Sequence, residues 1–266
     1  MNRLLVTFGT RLATYLSAPR HVHGACAAPS IEQLQQTLQP GDVLLIEGNS
    51  RISTAVKYLT QSTWSHAALY VGPVPFGGNK AGPCFVEADL VAGVRSVGFE
   101  EFAGFPTRVC RPVGLTETER GQVAEYAIAR IGHRYDLRNV VDLVRYLFPT
   151  PPVPLQFRRR ILALGSGDPT RAICSTFIAQ AFQSIRYPVL PIISLRPSVS
   201  PDCPGCLEEI LRVRHHSLFT PRDFDVSPYF EIVKPALSEN FDFRELRWED
   251  DMAAKAGVAA ADAIQT

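Results

Sequence analysis

At 266 residues the chain is longer than a typical single domain, yet within the range that one elaborated domain occupies. Its composition, 46% hydrophobic and 20% charged, supplies a core and excludes wholesale disorder. With 27 basic against 26 acidic residues the net charge is +1, which gives no electrostatic reason to expect nucleic acid as a partner.

The first residues, MNRLLVTFGTRLATYLSAPRHVHGACA, combine a basic start, an apolar stretch and a small-residue ACA. A signal for export to the periplasm is one reading, opposed by Arg11 within the apolar stretch and by Arg20, His21 and His23 before the ACA. The other is an amphipathic helix with Leu4, Leu5, Phe8, Leu12 and Leu16 on one face, docked on the protein itself or on a membrane surface. A cytoplasmic protein is the expectation, with peripheral membrane contact left open, docking on the protein itself the more ordinary outcome, and export to the periplasm the alternative. No run reaches the ~18 consecutive apolar residues of a membrane-spanning helix.

Residues 30–39 (SIEQLQQTLQ) predict a short helix capped by Ser30 and stopped before Pro40. PGDVLLIEG then gives a turn and a short strand, residues 52–62 a helix, and SHAALYVG (65–72) a strand. A Gly/Pro-rich loop is expected from Pro73 to Pro83. CFVEADL and GVRSVGF read as two extended segments around a turn near Ala92 and Gly93, and TRVCRPVG as another strand. Thr116 with Glu119 forms a capping-box pattern opening a helix whose one face carries Val123, Ala127 and Ile131, with Gly132 at its end. Residues 137–148 and 157–165 predict two further helices on either side of the stiff PTPPVP at 149–154.

In ICSTFIAQAFQSI, Phe177, Ile178, Ala181, Phe182 and Ile185 line one side of a helix. Residues 186–220 are expected to form a long loop, and SPYFEIVKP a last strand that would close the sheet. The simplest organisation is an N-terminal segment (1–29), one α+β domain (30–235) and a C-terminal tail (236–266).

Cys174 opens the predicted helix, where the helix dipole and unpaired N–H groups favour a thiolate and would hold an oxyanion. Many buried helices carry an inert cysteine, so position alone leaves both readings open. His66 starts a strand after the turn-like QSTWS, free to reach across a cleft or to sit satisfied at a sheet border. Glu87 alternates onto the face of Phe85 and Asp89, where it either meets an imidazole on the neighbouring strand or faces water.

Six cysteines are too few for a disulfide scaffold, and mostly buried thiols in a reducing compartment are expected. Cys203-Pro-Gly-Cys206 with His215 and His216 offers four zinc ligands. The adjacent histidines are awkward and no second CxxC exists, so a disulfide or two free thiols compete with zinc. No metal or other cofactor is assigned.

The ordered set GDVLLIEG, TWSHAALYVG, CFVEA, RYD and ICSTFIAQAF resembles the permuted branch of the NlpC-type papain-like cysteine hydrolases. These are related to lecithin–retinol acyltransferase, and the set is similar to the bacterial YiiX/YaeF-like group. The resemblance covers roughly residues 38–190, and in it the histidine precedes the cysteine. It implies an antiparallel sheet or partial barrel packed against helices, one of which carries the nucleophile. It implies Cys174 as nucleophile, His66 as general base and Glu87 as orienting residue, with Tyr135 of HRYD near the site. Trp64, Ser65 and Ser175, which flank the two motifs, join Tyr135 as expected substrate contacts, while Asp42 is read as fixing a turn.

The chemistry implied is attack on an amide or ester carbonyl with a thioester intermediate, resolved by water in a hydrolase or by a second nucleophile in a lipid acyltransferase. A non-catalytic binding protein on the same fold is the remaining alternative. The substrate would be a small molecule, a peptide or a lipid-derived acyl compound. The basic, amphipathic stretch 143–170 would serve as a lid or lipid-facing edge, or simply cover the core. No obligate protein partner is evident.

Overall fold

Local signals start each element where the chain's hydrogen-bonding groups can be closed. In the computed structural model, which describes residues 28–76, 79–89, 92–133, 173–197 and 206–235, Ser30 opens helix α1 (Ile31–Thr37). Its hydroxyl accepts from the Gln33 N–H at 3.2 Å, and the Gln33 side chain accepts from the Ser30 N–H at 2.9 Å, a reciprocal closure of two orphan donors. Helix α2 (Arg51–Thr60) is capped by Ser50 and ends on Gln61 in the left-handed conformation at φ 51°. Thr116 and Glu119 cap helix α3 (Glu117–Ile128) in the same reciprocal way. Helix α4 (Ile173–Ser184) and the short α5 (Pro221–Asp225) complete the described helices.

The strands are β1 (Val43–Ile46), β2 (His66–Phe76), β3 (Asn79–Asp89), β4 (Gly93–Val97), β5 (Thr107–Pro112), β6 (Ile192–Pro197), β7 (Leu207–Arg212) and β8 (Phe230–Val233). Six of them form one sheet in the order β4-β3-β2-β1-β5-β8, antiparallel throughout, while β6 and β7 form a separate two-stranded ribbon. Every residue of β1 is buried, because both faces of the sheet are covered. On one face Val43, Leu45, Ala67, Leu69 and Val86 meet Val123 and Ala127 of α3 and Phe177, Ile178 and Phe182 of α4. On the other, Leu44, Ile46, Ala68, Tyr70 and Phe85 meet Leu34, Leu38, Phe99 and Phe102, with the Phe85 ring edge-on to Phe99 and Phe102 at 5.0 and 5.1 Å. The fold is α+β, an antiparallel sheet packed against helices, within a unit that ends at Pro235.

Three expectations fail. The segment from Pro73 to Pro83 is not a loop: β2 and β3 continue through it as a hairpin pairing Pro73 with Pro83, Val74 with Gly82 and Phe76 with Asn79. Its prolines are tolerated because β1 pairs with β2 only as far as Leu69, which leaves the outer half of β2 an edge, and because two register shifts relieve the ladder. Residues 186–220 are not one long loop either. They contain the β6–β7 ribbon and a 3-10 turn at His216–Leu218, the proline content having masked the β-branched and leucine-rich runs at 192–195 and 207–213. The last strand, β8, does not close the sheet but extends it beyond β5, so β4 and β8 are its edges among the described residues. The expected segments 1–27, 137–148, 149–154, 157–165 and the C-terminal tail lie outside the described residues.

Candidate active site

The register of the sheet sets the polar groups. Because Leu69 opposes Val86 and Tyr70 opposes Phe85, the start of β2 lies beside the end of β3. His66 Nε2 and Glu87 Oε2 are 2.6 Å apart, and Glu87 is almost wholly buried while the His66 side chain keeps 28% of its surface exposed. With Nε2 committed to Glu87, Nδ1 is the ring nitrogen left for a second partner.

That partner is Cys174. The second residue of α4, it is delivered by the packing of Phe177, Ile178 and Phe182 against the sheet face that carries Ala67 and Leu69. Its sulfur hydrogen-bonds with the His66 side chain and with the Ala67 N–H, and the Ser175 hydroxyl lies 3.9 Å away. Burial opposes a thiolate here, but the charge on His66 and these hydrogen bonds prevail and hold the Cys174 pKa below its ordinary value. Burial likewise opposes the imidazolium. The charge and hydrogen bond of Cys174, then those of Glu87, outweigh it and raise the His66 pKa well above its usual value. Both shifts move the pair toward thiolate and imidazolium, the ionisation state a thiol nucleophile requires.

The structure thus brings Cys174, His66 and Glu87 together. Trp64 is buried, its indole N–H donating to Asp225 Oδ2 at 3.1 Å, with the Arg108 guanidinium over its ring. The Ser65 hydroxyl accepts from the Gly48 N–H at 2.9 Å, tying the residue before His66 to the loop after β1. Ser175 is fully buried beside the thiol. These three side chains are engaged within the protein's own framework. Tyr135 lies outside the described residues. Asp42 is fully buried in a turn, as its reading as a turn-fixing residue requires.

Sequence reasoning missed Arg95. It opposes Glu87 across the β3–β4 pair, donating from Nε to Glu87 Oε1 at 2.9 Å, with Nη2 2.7 Å from the same oxygen and 2.6 Å from Glu101 Oε1. Burial works to raise the Glu87 pKa, but His66 and then Arg95 overcome it and hold the carboxyl below its usual range. The signal was available: two extended segments around a turn near Gly93 put residues 87 and 95 opposite each other.

Arg95→Ala is expected to raise the Glu87 pKa, because one of the positive charges holding the carboxylate is gone. The acid limb of any Cys174-dependent rate would then move to higher pH, and the rate at its optimum would fall by about ten- to a hundredfold through loss of orientation. Arg95→Lys should recover part of both effects. An unchanged pH profile in Arg95→Ala, measured by Cys174 alkylation, would contradict this role.

Cys206 is disulfide-bonded. The thiolate that the zinc reading needs at this position is therefore not free; Cys203, the other cysteine of that reading, lies outside the described residues. Among the described residues no group of three or more His, Cys, Asp or Glu side chains is arranged to hold a metal ion. Cys110 and Cys174 are free and buried.

A helix-borne thiol against a histidine at the head of an antiparallel strand, with the histidine earlier in the chain, resembles the arrangement of the permuted papain-like class. Within that class, residues 37–146 match the family described as permuted papain-like amidase enzyme, YaeF/YiiX, C92 family. The match includes His66, Glu87 and Arg95 and stops short of Cys174. Among solved structures, the metalloprotein yiiX from Escherichia coli O157:H7 is similar at 17% identity and a TM-score of 0.43, over 75% of this chain and 98% of that one. That likeness is too loose to bear on the site. No curated protein matches the chain.

Proposed function

We propose that the protein is a cysteine-dependent hydrolase that cleaves an amide or ester bond through a thioester on Cys174. What supports this most is the hydrogen-bonded series Cys174–His66–Glu87–Arg95. It pairs a thiol of lowered pKa with an imidazole of raised pKa and fixes that imidazole from behind.

The Cys174 thiolate adds to the substrate carbonyl, forming a carbon–sulfur bond and a tetrahedral oxyanion. The imidazolium of His66 gives its proton to the leaving amine or alcohol as the bond to that group breaks, leaving a thioester and neutral His66. Water then adds to the thioester while His66 takes its proton, and expulsion of the thiolate releases the acid and restores the ion pair. Glu87 holds the ring through Nε2 and stabilises the positive charge each time it forms. The match to an amidase family favours an amide substrate over an ester.

The test is to mix the protein with a panel of acyl amides and acyl p-nitrophenyl esters, quench in acid and weigh the intact chain. A substrate should leave an acyl group on Cys174 within the first turnover, and none in Cys174→Ala. Release of product at an unchanged rate by Cys174→Ala would overturn the proposal.

A further inference from the structure

The β6–β7 ribbon carries an apolar face that the protein itself leaves open. In an antiparallel pair, opposed residues share a face. Ile193 opposes Leu211, Leu195 opposes Glu209 and Pro197 opposes Leu207, so Ile193, Leu195, Leu207 and Leu211 lie together, with Val213 following in the same alternation. These five side chains are between 46% and 76% exposed. Scattered surface aliphatics need no account, but five on one side of two strands form a patch of the kind that marks an interaction site. A two-stranded ribbon is moreover marginal in water by itself and gains stability from further strands. Among the described residues, β6 and β7 pair with no other strand.

The sequence of β7 indicates what would add those strands. Leu207-Glu208-Glu209-Ile210-Leu211-Arg212-Val213 is self-complementary when laid antiparallel on a second copy about Ile210. In that register Leu207 faces Val213, Glu208 faces Arg212, Glu209 faces Leu211 and Ile210 faces its own counterpart. Glu208 and Arg212 meet on one side, with Ile210 between them, while Leu207, Leu211 and Val213 of both copies join on the other, which Glu209 shares. We propose that two copies of this chain associate through β7, forming a four-stranded antiparallel sheet in the order β6-β7-β7-β6 about a two-fold axis.

A lipid surface fits less well. It would leave the N–H and C=O groups along β7 without partners, and it would place Glu209 among acyl chains. The β6 edge is the weaker candidate, because Pro197 lacks a donor and its charged residue, Arg196, has no acidic counterpart within the strand. This inference is independent of the reaction assigned to Cys174.

The test is sedimentation equilibrium of the full chain over a wide concentration range, with two variants whose charges prohibit self-pairing. Glu208→Arg places arginine opposite arginine in the proposed register, and Arg212→Glu places glutamate opposite glutamate. Each is expected to weaken self-association by about tenfold or more, since both symmetry-related pairs are affected. Mixing the two variants brings opposite charges back together and should restore association to near the wild-type level as a heterodimer. Far-UV circular dichroism of each variant establishes that it is folded, and Ile210→Lys provides a third disruption independent of the charge pairs. A wild-type chain that stays monomeric throughout, a dimer indifferent to all three variants, or variants that fail to associate when mixed would overturn the proposal. So would a monomer recruited to phosphatidylcholine–phosphatidylglycerol vesicles through Leu207 and Leu211.

Discussion

Under the proposed reaction, Cys174→Ala is expected to abolish acyl transfer, lowering turnover by about 10⁴-fold or more, because the acyl group is carried on the Cys174 sulfur. The pH dependence of the wild type should show why. The thiolate appears as pH rises through the lowered Cys174 pKa, so the acid limb of the rate lies below the ordinary thiol value of about 8.5. The imidazolium that in the proposed reaction protonates the leaving group is lost as pH rises through the raised His66 pKa, so the alkaline limb is expected above the ordinary imidazole value of about 6.5. Activity therefore occupies a window between the two, a bell set by one coupled pair.

Iodoacetamide reads the same pair without a substrate. Cys174 should be alkylated at pH values where ordinary thiols are protonated, and His66→Ala should push that labelling to higher pH because burial then acts on the thiol with less opposition. Cys110 is the internal control: burial, the largest cause, drives its pKa far up, so it should remain unlabelled while the chain is folded. Labelling of Cys174 with an ordinary thiol profile, unchanged in His66→Ala, would show that the ion pair does not form.

Asp42→Ala should cost about 3 kcal/mol of folding stability, the lower end of what breaking a buried ion pair exacts. The Asp42 carboxylate is wholly buried and accepts from the Gln39 N–H at 2.9 Å, and from Arg111 Nε and Nη2 at 3.0 and 2.7 Å. Arg120 stands 3.9 Å away. Arg111 also donates to the Thr37 carbonyl at 2.6 Å, so one carboxylate joins the end of α1, the turn into β1 and strand β5. Removing it leaves Arg111, only 18% exposed, without its counter-charge, and frees the Gln39 donor. Asp42→Asn should recover part of the loss, and Asp42→Leu with Arg111→Met should be less harmful than Asp42→Ala because neither charge then remains. Urea denaturation measures all three. A loss below about 1 kcal/mol for Asp42→Ala would mean that Arg111 reaches water without cost.

What the sequence revealed of this site depended on how local each signal was. The strand holding His66, the helix holding Cys174 and the buried alternation around Glu87 each occupy a few neighbouring residues, and helix caps at Ser30 and Thr116 are read within three. Arg95 was missed because its role exists only in the register between β3 and β4. The bond between Trp64 and Asp225 spans 161 positions and was beyond any local pattern. The hairpin at 73–83 and the ribbon at 192–212 were mistaken for loops because proline is an unfavourable strand residue in general. Whether a proline lies at a free edge is a tertiary fact.

The order of His66, Glu87, Arg95 and Cys174 along the chain also has a temporal side. During synthesis, β1 to β4 leave the ribosome well before α4, so His66, Glu87 and Arg95 can take their places before Cys174 is present. The reactive sulfur arrives last, on a helix that depends on Phe177, Ile178 and Phe182 for its seat. Until that helix docks, Cys174 lacks the imidazole and the Ala67 N–H that sharpen it, and it behaves as an ordinary thiol. A nascent or locally opened chain is therefore expected to be alkylated at Cys174 no faster than at an ordinary thiol.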